Sequence, residues 1–224
     1  MHSYSQNNEQ DIILSYLENI NLTKGTFLDI GAFDGEKFSN TRGIFLKYPD
    51  WKGIFVEPSS FCFVKLFELY RDFPRRAELV NLAVVLEDEL HRGSSNMIEF
   101  HDSPLSAASS TLGEWGSLAD LVTKNEDGDV VNPRKLHVGK IGMKQLLDTF
   151  GRVDFINIDV EGYSAALATQ EWFNPHNYGC KLICVEQDGH GGEIHPQIFN
   201  KYSSHGFQIV GRTWENLIMG LPIR

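Results

Sequence analysis

The sequence predicts an α/β fold in which a mostly parallel sheet carries helices on both faces. Three observations predict it. The runs Thr26–Ile30, Gly53–Glu57, Val153–Asp159 and Lys181–Glu186 are nearly continuous in apolar residues, as strands buried on both sides must be. Segments with apolar residues at helical spacing alternate with these runs, which makes the class α/β. Acids gather at the strand exits: Asp29 and Asp34, Glu57, Asp159 and Glu161, Glu186 and Asp188. Open α/β sheets bind ligands there.

The elements follow in order. Ile12, Ile13, Tyr16, Leu17 and Ile20 repeat at helical spacing, so Glu9–Asn19 reads as a helix. The strand Thr26–Ile30 runs into the tight turn Gly31-Ala32-Phe33-Asp34-Gly35, and a helix is expected over Glu36–Tyr48. After Gly53–Glu57, Pro58-Ser59-Ser60 stops the strand and supplies the N-cap of a helix reaching about Arg71. Leu79–Val85 reads as a third strand, with an acidic turn at Glu87-Asp88-Glu89.

Residues 91–134 then break the alternation. Met97–Phe100 looks like an extra strand, Ser103–Thr111 like irregular chain, and Glu126–Asp129 like a turn. A stretch this long is usually functional, so 91–138 is expected to be an insertion or lid facing substrate. Regularity returns with a helix at Met143–Phe150, the strand Val153–Asp159, a helix from about Tyr163, the strand Lys181–Glu186 and a helix at His195–Ser203. A hairpin, Phe207–Arg212 with Asn216–Met219, closes the chain. One domain over 1–224 is expected, with 1–24 as an N-terminal helical segment.

The chain has 224 residues, 42% hydrophobic with 15 Phe, enough for a full core, and a formal charge of −10. That balance argues against duplex DNA or another extended polyanion as partner, because phosphate binding relies on clustered basic residues. It mildly favours a cationic ligand. Cys62, Cys180 and Cys184 contain no C-x-x-C and read as reduced, structural thiols. The N-terminus has no basic or apolar signal region and no run reaches transmembrane length, so a cytoplasmic protein is expected. Phe61, Phe63, Phe67 and Trp172 are expected in the core, since no basic residues alternate with them.

Two motifs carry chemistry. In the first, Gly31 lets the backbone approach a ligand. Asp29 can accept from a ligand ammonium or from turn N–H groups. Glu57, 26 residues after Gly31, is placed to accept both hydroxyls of a ribose. With Asp29 before Gly31 and no G-x-G-x-x-G, the pattern points to S-adenosylmethionine (SAM) rather than to a dinucleotide. The second motif is Asp159-Val160-Glu161-Gly162. Its carboxylates suit a sulfonium-side group, a metal, a general base, or a plain helix N-cap. Beyond it, Asp188, His190 and His195 lie in a glycine-rich loop. His190 or His195 could act as a base, while the spacing fits no specific metal-ligand pattern, so no metal is expected.

With these residues in view, the chain resembles the FkbM-like family of SAM-dependent methyltransferases. Tyr4-Ser5-Gln6 with Glu9 is similar to the family's N-terminal element. Phe27–Gly35 is similar to its first cofactor motif, and Phe38-Ser39-Asn40-Thr41 to the start of the following helix. Trp51–Pro58, Asn81–Val84, Ser109-Ser110-Thr111-Leu112 and Asp154–Gly162 complete the ordered set. One departure stands out: the family often has Lys where this chain has Asn157.

The resemblance implies a Rossmann-like class I methyltransferase sheet of seven strands, mostly parallel, with an antiparallel C-terminal strand. Asp29, Gly31, Ala32 and Gly35 would line the methionine and ribose side, Glu57 with Pro58 would hold the ribose, and Asn81 and Ala83 would border the adenine. Asn40 would bind the methionine carboxylate or cap the helix. Asp159 would contact the methionine ammonium or the substrate, and Glu161 or His190 would remove the acceptor proton. Gln6, Glu9 and Ser109 would meet the substrate. The expected reaction is O-methylation of a small molecule or sugar hydroxyl, without nucleic acid or membrane. Alternatives are a divalent-metal-dependent O-methyltransferase, a non-catalytic SAM- or nucleotide-binding module, and an NAD-dependent oxidoreductase, the last weakened by the missing G-x-G-x-x-G.

Overall fold

The computed structural model describes residues 2–92, 95–103, 111–112, 123–124, 130–189 and 192–223. Helix α1 (Glu9–Asn19) precedes strand β1 (Gly25–Ile30), α2 (Arg42–Lys47), β2 (Trp51–Val56), α3 (Ser60–Tyr70) and β3 (Ala77–Val80). Next come β4 (Ala83–Val85), α4 (Glu87–Leu90), β5 (Met97–Asp102), β6 (Thr111–Leu112), β7 (Thr123–Lys124), β8 (Val130–Val131) and β9 (Arg134–Gly142). The remainder is α5 (Met143–Phe150), β10 (Phe155–Ile158), α6 (Ser164–Ala168), β11 (Leu182–Glu186), α7 (Pro196–Ser204), β12 (Gln208–Arg212) and β13 (Asn216–Gly220).

Seven strands form the main sheet in the order β12-β13-β11-β10-β1-β2-β3. Neighbours from β11 to β3 pair in parallel, while β13 runs antiparallel to β11 and to β12. This is the Rossmann-like methyltransferase sheet, with its expected antiparallel strand near the C-terminus.

Side chains alternate across the sheet, as the pleat requires. Phe27, Phe55, Phe155 and Leu182 face a core closed by α1, α2 and α3. Leu28, Val56, Ile156 and Ile183 face a second core closed by α5, α6, α7 and part of a smaller sheet. Both faces are covered, which is why the strands read as continuous apolar runs. In the first core Phe55 stacks on Tyr70 at 4.2 Å between ring centroids. That pair ties α3 to β2 and contributes about 0.5–1.5 kcal/mol beyond simple burial.

Three expectations need correction. The helix expected over Glu36–Tyr48 is only α2, Arg42–Lys47. Asp34 Oδ1 accepts from the Glu36 and Lys37 N–H groups, Phe38 takes φ +58°, and Ser39 Oγ accepts from Arg42 N–H, so the helix starts late. The strand expected over Leu79–Val85 is two strands. Asn81 donates its amide to the Glu57 and Pro58 carbonyls at 2.7 and 3.2 Å, and the chain leaves the main sheet there. β4 instead pairs with β9 in a four-stranded sheet, β4-β9-β5-β6. The inserted region therefore contains a sheet, with β9 extending past its expected end.

Smaller readings also resolve. Ser59 is the N-cap of α3, accepting from Cys62 N–H. All three cysteines are free and buried. Phe61 and Phe67, expected in the core, are exposed on α3, and Lys65 Nζ lies 4.6 Å from the Phe61 ring centre. Trp172 and Phe63 pack at the core margins. Among the described residues no helix is long and apolar enough to cross a membrane.

Candidate functional site

At the carboxyl ends of β1, β2 and β10 lies a pocket open to solvent, lined by residues from the ends of all three strands. It brings together Gln6, Asp29, Gly31, Ala32, Asn40, Glu57, Pro58, Ala83, Asp159 and Glu161 from the sequence-derived set. Gly35, Asn81 and Glu9 lie outside it. Gly35 packs on Leu66 and Tyr70. Asn81 clamps the Glu57-Pro58 turn. Glu9 is fully buried, and its Oε1 accepts from Thr213, Asn216 and Asn7, which anchors α1. Burial raises the Glu9 carboxyl, but these bonds outweigh it and leave the pKa lowered. His190 and Ser109 lie outside the described residues.

The turn after β1 is built on close approach. Gly31 takes φ +86°, and a Cβ there would collide with the Asp159 carbonyl oxygen. Only glycine fits. The turn's N–H groups are turned inward, contrary to expectation: Gly31 and Ala32 donate to the Val56 carbonyl, and Phe33 donates to Glu57 Oε2 at 2.9 Å. Ser59 N–H donates to Glu57 Oε1 at 2.7 Å. The turn therefore aims the carboxylate rather than the amides. Burial, offset by those two donors and reinforced by the nearby charges of Asp102 and Asp29, raises the Glu57 carboxyl to about 8.

Asp29 does not accept from turn amides either. Its Oδ2 accepts from Thr41 Oγ1 at 2.6 Å and its Oδ1 from Asn157 Nδ2 at 2.9 Å. Asn40 Nδ2 donates to Asn157 Oδ1 at 3.1 Å and approaches Cys184 Sγ. The register makes this row possible, since Asp29 pairs with Asn157 and Asn157 with Cys184 across three strands. Burial lifts the Asp29 carboxyl to about 6 despite both hydrogen bonds. Asn40 caps nothing, the N-cap position of α2 being Thr41.

Asp159 and Glu161 make the opposite wall acidic, with Glu186 behind them. One carboxylate oxygen from each of Asp159, Glu161 and Glu186 lies within 4.8 Å of the other two, a grouping that could hold a cation. Glu186 Oε2 accepts from Ser164 Oγ and Glu161 N–H, and Asp188 accepts from the N–H groups of Ser164 and Ala165 at the start of α6. Neither Asp159 nor Glu161 caps α6, which begins after Tyr163. Burial, then mutual repulsion with Glu186, holds the Asp159 and Glu161 carboxyls well above the ordinary carboxylate range. His195 is buried, its N–H bonded to Gln187 Oε1. Phe33, Phe38 and Glu161, which line this pocket, all take positive φ. Such conformations cost about 1–3 kcal/mol each and cluster at functional sites.

Sequence reasoning missed several lining residues: Lys37, Phe38, Leu82, Phe100, Leu112 and Tyr163. Phe100 and Leu112 come from the smaller sheet. The buried Tyr163 hydroxyl donates to Glu89 and accepts from Leu86 N–H, tying α6 to α4. Asp102, at the end of β5, accepts from Ser59 Oγ at 2.7 Å and from Arg134 at 2.9 Å. The smaller sheet is thereby latched to the turn that carries Glu57.

The residues fit SAM. Its ribose hydroxyls would have the lone pairs that Glu57 keeps beyond its bonds to Phe33 and Ser59 N–H. Its ammonium or sulfonium would find a counter-charge in Asp159, whose carboxylate accepts no hydrogen bond from the described residues.

The family model described as "Methyltransferase FkbM domain" matches residues 29–208. No curated protein matches the chain significantly. Among solved structures, Aeropyrum pernix fibrillarin with natively bound S-adenosyl-L-methionine is 12% identical, covering 94% of this chain and 76% of its own, at a TM-score of 0.44. Methanococcus jannaschii fibrillarin, a pre-rRNA processing protein, is 11% identical over 97% of this chain and 76% of its own, at 0.44. The CurJ carbon methyltransferase is 12% identical over 95% of this chain and 53% of its own, at 0.42. At these identities and TM-scores none of them bears on what this chain methylates.

Proposed function

The chain belongs to the FkbM family of SAM-dependent methyltransferases, and on that premise we propose that it methylates a hydroxyl of a small molecule or sugar. When bound, the cofactor supplies an already activated methyl group, so the chain's own tasks are positioning, exclusion of water and proton removal. Glu57 holds the ribose and Asp159 the ammonium. Glu161, beside Asp159 and facing the pocket, takes the acceptor's proton. Its raised pKa suits that task, because a general base works best when its pKa lies near the operating pH.

The observation that carries this reading is the acidic wall of Asp159, Glu161 and Glu186 beside the cofactor pocket. In its ionised form it offers proton acceptors to a hydroxyl and repels phosphates. The net charge of −10 points the same way against a nucleic acid acceptor.

The test is calorimetric titration with SAM and its demethylated product, with NAD as control, followed by turnover on a panel of hydroxylated small molecules, sugars and RNA oligonucleotides. Micromolar binding, about −8 kcal/mol, should be lost in Glu57→Ala, and turnover on a hydroxyl acceptor should be lost in Glu161→Gln. Methylation of RNA alone would overturn the acceptor class. Loss of turnover in chelator, restored by magnesium, would favour the metal-assisted alternative, and binding without turnover on any acceptor would favour the non-catalytic one.

A further inference from the structure

We propose that Lys37 binds the carboxylate of the cofactor's methionine moiety. The assignment rests on the SAM reading of the pocket and adds to it the partner of the one anionic group on that ligand.

Asp29, Glu57, Asp159 and Glu161 line the pocket, and none of the four offers a carboxylate a positive partner. The side-chain donors that line it alongside them are neutral and already hold partners, the Ser39 hydroxyl included, which lies 3.3 Å from Thr41 Oγ1. Gln6 Nε2 donates to Glu215 at 2.9 Å. Asn157 Nδ2 donates to Asp29. The Asn40 amide, the sequence-based candidate for this carboxylate, is spent on Asn157 and Cys184. The Tyr163 hydroxyl donates to Glu89. The N–H groups of Gly31, Ala32 and Phe33 are consumed within the turn.

Lys37 is the one basic residue among the described lining residues. Its side chain is exposed and makes no ion pair with a described residue. Its backbone is fixed, because Lys37 N–H donates to Asp34 Oδ1 at 2.8 Å and the next residue, Phe38, holds φ +58°.

Position agrees with charge. Glu57 follows β2 and marks the ribose side. The Lys37–Asn40 segment instead meets β10 through the Asn40–Asn157 bond, on the same side as Asp159. The ammonium and carboxylate of one amino acid moiety share a carbon atom, so a cation near the Asp159 side is where the carboxylate needs one. Lysine reaches it as a mobile point charge on a flexible stem.

The experiment titrates wild type, Lys37→Ala and Lys37→Arg with SAM and with decarboxylated SAM, which lacks only the carboxylate. Lys37→Ala should weaken SAM by about tenfold or more and leave the decarboxylated ligand unchanged, and Lys37→Arg should restore most of the SAM affinity. Equal weakening of both ligands in Lys37→Ala would overturn the assignment in favour of a structural role. No change for either would overturn it in favour of backbone donors. Wild-type protein that binds neither ligand would overturn the cofactor reading itself, a result distinct from the other two.

Discussion

The Asn157 amide donates to the buried Asp29 carboxylate at 2.9 Å, directly across the pairing of the sheet's two central strands. Asn157 occupies the position where the family often carries lysine. A neutral amide leaves Asp29 without a counter-charge, which is why burial can lift its carboxyl to about 6.

Asn157→Ala should cost about 1–3 kcal/mol in urea denaturation at pH 7.5, because it strips a donor from Asp29 and an acceptor from Asn40. Asn157→Lys should cost less and should lower the Asp29 pKa by supplying a cation. An alanine variant as stable as wild type would show that the row contributes nothing to the fold.

The ligand-free protein should lose stability as pH rises from about 5 to 8. Burial raises the folded carboxyls of Asp29 and Glu57 to about 6 and about 8, against ordinary values of 3.8 and 4.5. Between those limits the folded chain holds more protons than the unfolded chain, so unfolding free energy falls with pH, by up to about 1.4 kcal/mol per pKa unit for each group. Thermal melts at pH 5.5 and 8.5 measure it. SAM, whose positive groups favour ionised carboxylates, should reduce the difference. A melting temperature that rises across this window would contradict the assignment.

Gly31→Ala should destabilise by more than about 3 kcal/mol, since it adds both a backbone strain and a collision with the Asp159 carbonyl. Gly151 is the control. It too has positive φ, at +72°, but no described atom lies within 4 Å of its added Cβ. Gly151→Ala should cost only about 1 kcal/mol. Equal losses at the two sites would show that the close approach of β1 and β10 does not constrain residue 31.

Asp102→Asn should shift the pH dependence of SAM binding. Asp102 helps raise the Glu57 carboxyl, and binding needs that carboxyl ionised, so wild-type affinity should climb with pH toward about 8. Removing the Asp102 charge should move the climb to lower pH while the amide keeps a bond to Ser59. An unmoved profile would mean that the smaller sheet is electrically silent at the cofactor turn.

The legible part of this molecule was the part governed by local pattern. Glu9–Asn19 is helical with the expected bounds, and the strands around Asp29, Glu57, Asp159 and Glu186 are in place because their two covered faces demand unbroken apolar runs. What escaped was decided at a distance. Nothing near Asn81 announces that its amide will take the Glu57 carbonyl and split a strand. Nothing near Ser59 announces Asp102 as its partner, 43 residues on. The alternation of Leu136 and Val138 with charged neighbours was a signal for β9, but its strand partner lies across the region that the sequence reads as loop. Lys37 was hidden because helix was expected where the chain instead bends around the pocket mouth.

The pairing of β1 with β10 also has a kinetic side. Phe27 meets Phe155 across 128 residues of chain, and the smaller sheet lies within that interval. Long-range parallel pairing of this kind folds slowly, because the entropy of closing the loop is lost before the contact forms. Gly31 and Asp159 cannot adjoin until residues through 159 are available, so a ribosome-bound chain that has exposed only β1 and β2 has the Glu57 carboxylate but no pocket. Competence to hold the cofactor arrives late in synthesis and all at once.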